Sequence, residues 1–249
     1  MRDFFAFLGP TLHVVSVCQP AVAVLAAISL MSTAKEPNLP KTMTLMGAPI
    51  DTRRSPTEVN ALATRESYEW FERTLICSVP ERYPGYLRRV YPGFLQLGAF
   101  VAMNPRKHLV SHWDFYKDLV KGDNESADAH RRFYDEYNAV LDMPAEYYLD
   151  TIKIVFQEHQ LPRGEWRVKG VRVAPEDITQ VRLLTVEGEL DDITGSGQTQ
   201  AAHDLCSGIA AAHKHHFTAP GCGHYGIFSG QRWRETIYPR LHDFIRGRG

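Results

Sequence analysis

LHVVSVCQPAVAVLAAISLM, residues 12–31, divides into two halves of different character. The first, 12–17, is apolar and rich in β-branched valine, which predicts a buried strand. The second, 21–31, is rich in alanine and leucine and apolar on every side, which predicts a buried helix. Cys18, Gln19 and Pro20 stand at the join. Proline suits the first turn of a helix, where its missing N–H would have had no partner. The chain therefore runs strand, sharp turn, helix, with a cysteine at the turn. Such a turn lifts a side chain above a sheet and leaves a following backbone N–H facing any oxyanion that forms there.

Two plainer readings compete. A cysteine in an apolar run commonly acts as a small hydrophobe. Residues 14–31 are also long and apolar enough to suggest a membrane span or a leader core. Against the second stand the flank RDFFAFLGPTLH, with one arginine and one aspartate, and the break made by Gln19 and Pro20. The composition is that of an ordinary globular chain: 249 residues, 44% hydrophobic, formal net charge −1. Without a basic excess, nothing points to nucleic acid. The four cysteines, Cys18, Cys77, Cys206 and Cys222, lack framework spacing, so reduced thiols in a cytoplasm are expected.

Outward from this stretch, Thr42–Met46 reads as a second buried strand ended by Gly47. IDTRRSP, residues 50–56, reads as either the mouth of a site or a connection. From 56 to 166 strand-like runs give way to helical periods carrying many aromatics, among them Tyr83, Tyr86, Tyr91, Phe94, Trp113, Tyr116, Phe133 and Tyr148. These are expected to form the core of a helical insert, some of them lining an apolar cleft. Parallel-sheet grammar then returns: a strand over 181–186, a helix over 198–212, a short strand over 215–218 and a closing helix over 233–246. The resulting division is 1–55, a partial core with the cysteine turn; 56–166, a helical cap; and 167–249, the rest of the core.

Cys18, Asp191 and His224 each fall just after a predicted strand, so all three should emerge on the carboxyl edge of one parallel sheet. A thiol of ordinary pKa needs a base to be a strong nucleophile near neutral pH. A histidine can take its proton, and a carboxylate can fix the ring's tautomer. The chain order nucleophile, acid, histidine is that of the α/β-hydrolases. Asp192 competes with Asp191, one of the two being a possible helix cap. His213, His215, His216, Cys222 and His224 could alternatively be read as a metal site, but neighbouring strand residues point to opposite faces and no ligand pair has a recognised spacing. No cofactor and no metal is called for.

HVVSVCQPAVAVLAA, YPGFLQLGAFVAMN, HWDFYKDLVKGD, ESADAHRRFYDEYNAV, LLTVEGELDDITGSGQT and GCGHYGIFSGQRWR carry a resemblance that covers nearly the whole chain. The sequence resembles the C-terminal part of the intracellular poly(3-hydroxybutyrate) depolymerases of bacteria. The similar polyhydroxyalkanoate synthases share the cysteine, aspartate, histidine logic, and their G-x-x-D-h-I motif would place the acid at Asp191, three after Gly188. The resemblance implies an α/β-hydrolase with a helical cap, acting in the cytoplasm at the surface of storage granules on amorphous polyester. Cys18 would form a thioester acyl-enzyme, His224 would act as base and then acid, Asp191 would orient it, and the Gln19 N–H would be one oxyanion donor. The V-x-C-x-P setting of Cys18 fits the depolymerases better than the synthases, which keep glycines around their cysteine. A synthase-type acyltransferase and an inactive granule-associated protein are the alternatives.

The second oxyanion donor of this fold comes from a loop ahead of the nucleophile. Only 17 residues precede Cys18, fewer than one βαβ unit of about 30 residues. The chain therefore reads as an N-terminally truncated α/β-hydrolase with about four parallel strands. Taken alone it is expected to be poorly soluble and all but inactive, since loss of one donor costs about 100- to 1000-fold.

Overall fold

A computed structural model of the chain describes every residue except Pro10, Asn104 and Gly249. The main elements are α1 (Arg2–Leu8), β1 (His13–Val17), α2 (Pro20–Thr33), β2 (Thr42–Met46), α3 (Glu58–Arg65), β3 (Arg182–Gly188) and β4 (Lys214–Ala219). The four strands form one sheet in the order β1-β2-β3-β4. Every pairing is parallel, with Val17 opposite Met46, Met46 opposite Val186, and Gly188 opposite Ala219. All the carboxyl ends thus lie on one edge, which is where a parallel sheet presents ligand-binding residues.

Each face of the sheet has its own core. Leu25, Ile28 and Met31 of α2 pack with Met43, Leu45 and Leu183 on one side. Met46, Leu184 and Val186 pack with Ile227, Leu241 and Phe244 on the other. Consecutive strand residues alternate between these cores, as the two-residue period of a strand demands. α2 is apolar all round because it is buried along most of its length. Residues 14–31 are thus a strand and a core helix, and among the described residues no helix is long and apolar enough to cross a membrane.

The chain divides into two compact units, 1–65 with 153–249, and Glu66–Ile152. The helical periods of the sequence place these limits at 56 and 166. The difference has a polar cause. Thr57 donates to the Ile193 carbonyl at 3.0 Å, and Gln198 donates to the Asn60 side chain at 2.8 Å, so α3 is bonded into the sheet-bearing unit. Leu161 and Trp166 likewise join the α2 core.

The second unit holds the helices Tyr68–Leu75, Gly93–Met103, Pro105–Lys121, Asn124–Asn138 and Ala145–Asp150. It also holds a small antiparallel ribbon of Cys77–Ser78, Arg89–Tyr91 and Met143–Pro144, which helical periodicity did not reveal. Phe71, Tyr91 and Tyr148 build its centre, with ring centroids 4.2 Å apart for Tyr91 and Tyr148. Tyr83, Tyr86, Phe94, Trp113, Tyr116 and Phe133 are exposed, which corrects the expectation that the aromatics form a common core.

Candidate active site

Cys18 follows β1 directly and adopts φ +62°, a left-handed conformation that costs a non-glycine residue about 1–2 kcal/mol. Backbone strain of this kind persists only where the surroundings impose it. Here β2 fixes one side: the Cys18 N–H donates to the Met46 carbonyl at 2.8 Å. α2 fixes the other: the Ala21 N–H donates to the Cys18 carbonyl at 3.1 Å, and Gln19 is the helix N-cap residue. The result is a sharp strand-to-helix turn with the thiol partly exposed at its tip.

β3 supplies the acid. Beyond Gly188 the chain turns, and the Asp191 side chain, only 1% exposed, directs its two oxygens to different partners. Oδ1 accepts the Ile193 N–H at 2.9 Å and the Thr194 N–H at 2.8 Å. Oδ2 lies 2.8 Å from Nδ1 of His224. His224 itself stands beyond β4, at the start of a 3₁₀ turn, and is buried. The ring also stands beside the Cys18 thiol, which interacts with it. Since Nδ1 is turned to Asp191, Nε2 is the nitrogen left for sulfur. The structure therefore brings Cys18 and Asp191 to the same imidazole, with Asp191 hydrogen-bonded to Nδ1.

Burial alone would lower the proton affinity of His224. The hydrogen bond with Asp191 and then the interaction with Cys18, with the attraction of the same two groups, outweigh it and raise the pKa to about 10. The sign of the linkage follows. The raised value in the folded state means that the imidazolium stabilises the fold fully below pH 6.5, and that this is lost as pH rises through about 10. The melting temperature of the protein minus that of His224→Gln is therefore expected to shrink steadily between pH 6.5 and 10. A difference that stays flat across that window would contradict the ion pair.

Glycine at position 47 shapes the site as well as ending β2. Gly47 has φ +53°, and a Cβ there would come within 3.0 Å of Cε1 of His224 and 2.9 Å of Cδ1 of Ile227. The isoleucine methyl could turn aside, but the imidazole, held at the neighbouring Nδ1 by Asp191, could not without loosening that bond. The Gly47 carbonyl meanwhile accepts from Thr194 Oγ1 at 2.9 Å, tying the end of β2 to the acid loop.

IDTRRSP serves as a buttress to that loop. Asp51 holds Arg53 through two contacts of 2.8 and 2.9 Å, and its N–H donates to Gln198 at 3.2 Å. The other histidines go separate ways: His216 bonds Thr185 at 2.8 Å, while His215 lies 5.5 Å from the Phe244 ring. Among the described residues no group of three or more metal-binding side chains converges. Cys206 and Cys222 are buried, which pushes both thiols up, Cys206 to about 12. Neither has the histidine partner that Cys18 has.

The chain matches the family model described as the PHB de-polymerase C-terminus over residues 47–248. No curated protein matches it. Among solved structures it is similar to BpoC of Mycobacterium tuberculosis, described as a non-heme bromoperoxidase, with a TM-score of 0.52 and 15% identity over 99% of this chain and 71% of that one. An epoxide hydrolase from Bacillus megaterium gives 0.51 and 13%, over 98% and 73%. A monoacylglycerol lipase from Paleococcus ferrophilus gives 0.50 and 13%, over 98% and 72%. At these identities the likeness establishes the α/β-hydrolase fold.

Proposed function

The chain belongs to the PHB de-polymerase C-terminus family, and on that premise we propose that it hydrolyses the ester bonds of an amorphous poly(3-hydroxyalkanoate) through Cys18, His224 and Asp191. The observation that carries this reading is the cysteine held at φ +62° with its thiol on a histidine that is itself on a buried carboxylate. A thiol in that position can be deprotonated by the ring and attack the ester carbonyl, forming a C–S bond. His224 then gives the proton to the departing alkoxide, so the chain end leaves as an alcohol and an acyl group remains on Cys18 as a thioester. Water, deprotonated by His224, attacks the thioester and releases a carboxylic acid and the free thiol. The Gln19 N–H, at the start of a helix of 14 residues, faces the charge that develops on the carbonyl oxygen. Binding at the surface of a storage granule follows from an insoluble substrate.

The test is chemical. Incubation with an activated 3-hydroxybutyryl ester, followed by acid quench and peptide mass analysis, is expected to find the acyl adduct on Cys18. Amorphous polymer should release soluble 3-hydroxybutyrate above the background of Cys18→Ala. An adduct elsewhere, or equal release by the two proteins, would sink this reading. Acyl transfer to an added alcohol or thiol in preference to water would favour the synthase-type alternative.

A further inference from the structure

Glu187 is a buried carboxylate, 2% exposed, and the penultimate residue of β3 before the acid loop. Its Oε2 accepts the Gly197 N–H and its Oε1 accepts the Gln200 N–H, each at 2.8 Å. The chain thus leaves the strand end, passes Asp191, and returns to be clasped by the strand it left. Thr194 and Thr199 pin the same loop to the end of β2, through the carbonyls of Gly47 and Ala48. Those two are neutral contacts. The clasp is charged, and charge-assisted bonds are about twice as strong as neutral ones. We propose that Glu187 is a positioning residue of the active centre: its carboxylate, closed on the Gly197 and Gln200 N–H groups, holds the loop that aims Asp191 at His224. This rests on the triad reading above, but only through the geometry of Asp191 and His224.

A carboxylate at this point has a chemical reason. Two N–H donors converge on it, and a carboxylate presents an acceptor to each. Glutamine presents one acceptor and one NH₂, so one of the two donors would face another donor. Aspartate keeps the charge but is one methylene short of spanning both. Each change opens the clasp without altering the chemistry of the Asp191, His224 and Cys18 side chains. The raised proton affinity of His224 reports on the result, because it depends on the bond with Asp191.

The midpoint of His224 can be followed by NMR of the ring carbons, its resonance assigned by loss in His224→Gln. In Glu187→Gln the midpoint is expected to fall by about one pH unit or more, a tenfold loss of proton affinity, while circular dichroism stays that of the parent. Glu187→Asp should move it in the same direction, and it decides the matter if the glutamine variant does not fold. On an ester substrate kcat should drop by about 100-fold, the scale of a 1 Å misplacement, with KM unchanged. An unchanged His224 midpoint in a folded variant, with Gly197 and Gln200 exchanging freely, would overturn the proposal and leave Glu187 a fold-stabilising group. A parent protein that turns over no ester would count against the proposed function alone, because the midpoint is read without substrate.

Discussion

Replacing Cys18 with alanine is expected to lower ester hydrolysis by on the order of a millionfold, and His224→Ala to do nearly the same. Nucleophile and base act as a unit in such centres, so removing either costs about as much as removing both. The double variant should therefore be no worse than the single ones. Alkylation gives an independent view. Near neutral pH iodoacetamide should modify Cys18 first, because only it combines access with a histidine partner among the described cysteines. Cys206 and Cys222 are buried, with thiols that burial holds protonated. Cys77 is exposed but has no such base assigned to it, so it should react more slowly and without effect on turnover. In His224→Ala the rate at Cys18 should fall to that of Cys77. Retained turnover after full modification of Cys18 would refute a cysteine mechanism.

How far the sequence reveals this site differs between its parts. The strand, turn and helix around Cys18 are legible because hydrophobicity changes period there: 12–17 was expected as strand and His13–Val17 is one, and Thr42–Met46 falls where its apolar run lies. The acid loop is not. Residues 198–212 have helix formers enough to predict a helix, yet only Ala202–Leu205 forms one. The local preference is overruled by distant partners: Glu187 takes the N–H of Gln200, and Thr199 takes the Ala48 N–H at 2.7 Å. Further on, Gly208 passes so close to the Glu176 carbonyl, with a Cβ position only 2.2 Å away, that the backbone there is set by packing. The closing helix shows the same effect from a local cause: Pro239 lacks an N–H, and a π-helical turn over Trp233–Ile237 precedes the α-helix Tyr238–Ile245. Residue order and strand ends placed Cys18, Asp191 and His224 on one edge. That the ring at 224 needs a bare backbone at Gly47 is written in no local pattern, because the two meet only through the sheet.

Asp191→Asn should be far more harmful than Asp192→Asn, by about ten thousandfold in turnover if the acid acts as it does in serine proteases. The reason lies in the three bonds around the carboxylate. Oδ1 accepts from Ile193 and Thr194, and Oδ2 faces Nδ1 of His224. If the asparagine oxygen keeps the Oδ1 site, its NH₂ points at Nδ1. The ring must then accept there and carry its proton on Nε2, toward Cys18. In that tautomer it cannot take the thiol proton. If the amide turns over, the NH₂ meets two backbone N–H donors, and the loop must distort to relieve them. Either orientation also removes the negative charge that helps raise His224, so the ring's midpoint should fall well below 10. The bond that orients the ring is made by Asp191, so an amide at 192 should leave both the midpoint and the rate of Cys18 alkylation close to the parent. The two aspartates are chain neighbours of equal chemistry, which makes each the control for the other. Equal losses, or a larger one at Asp192, would show that the hydrogen bond between Asp191 and His224 does not orient the base.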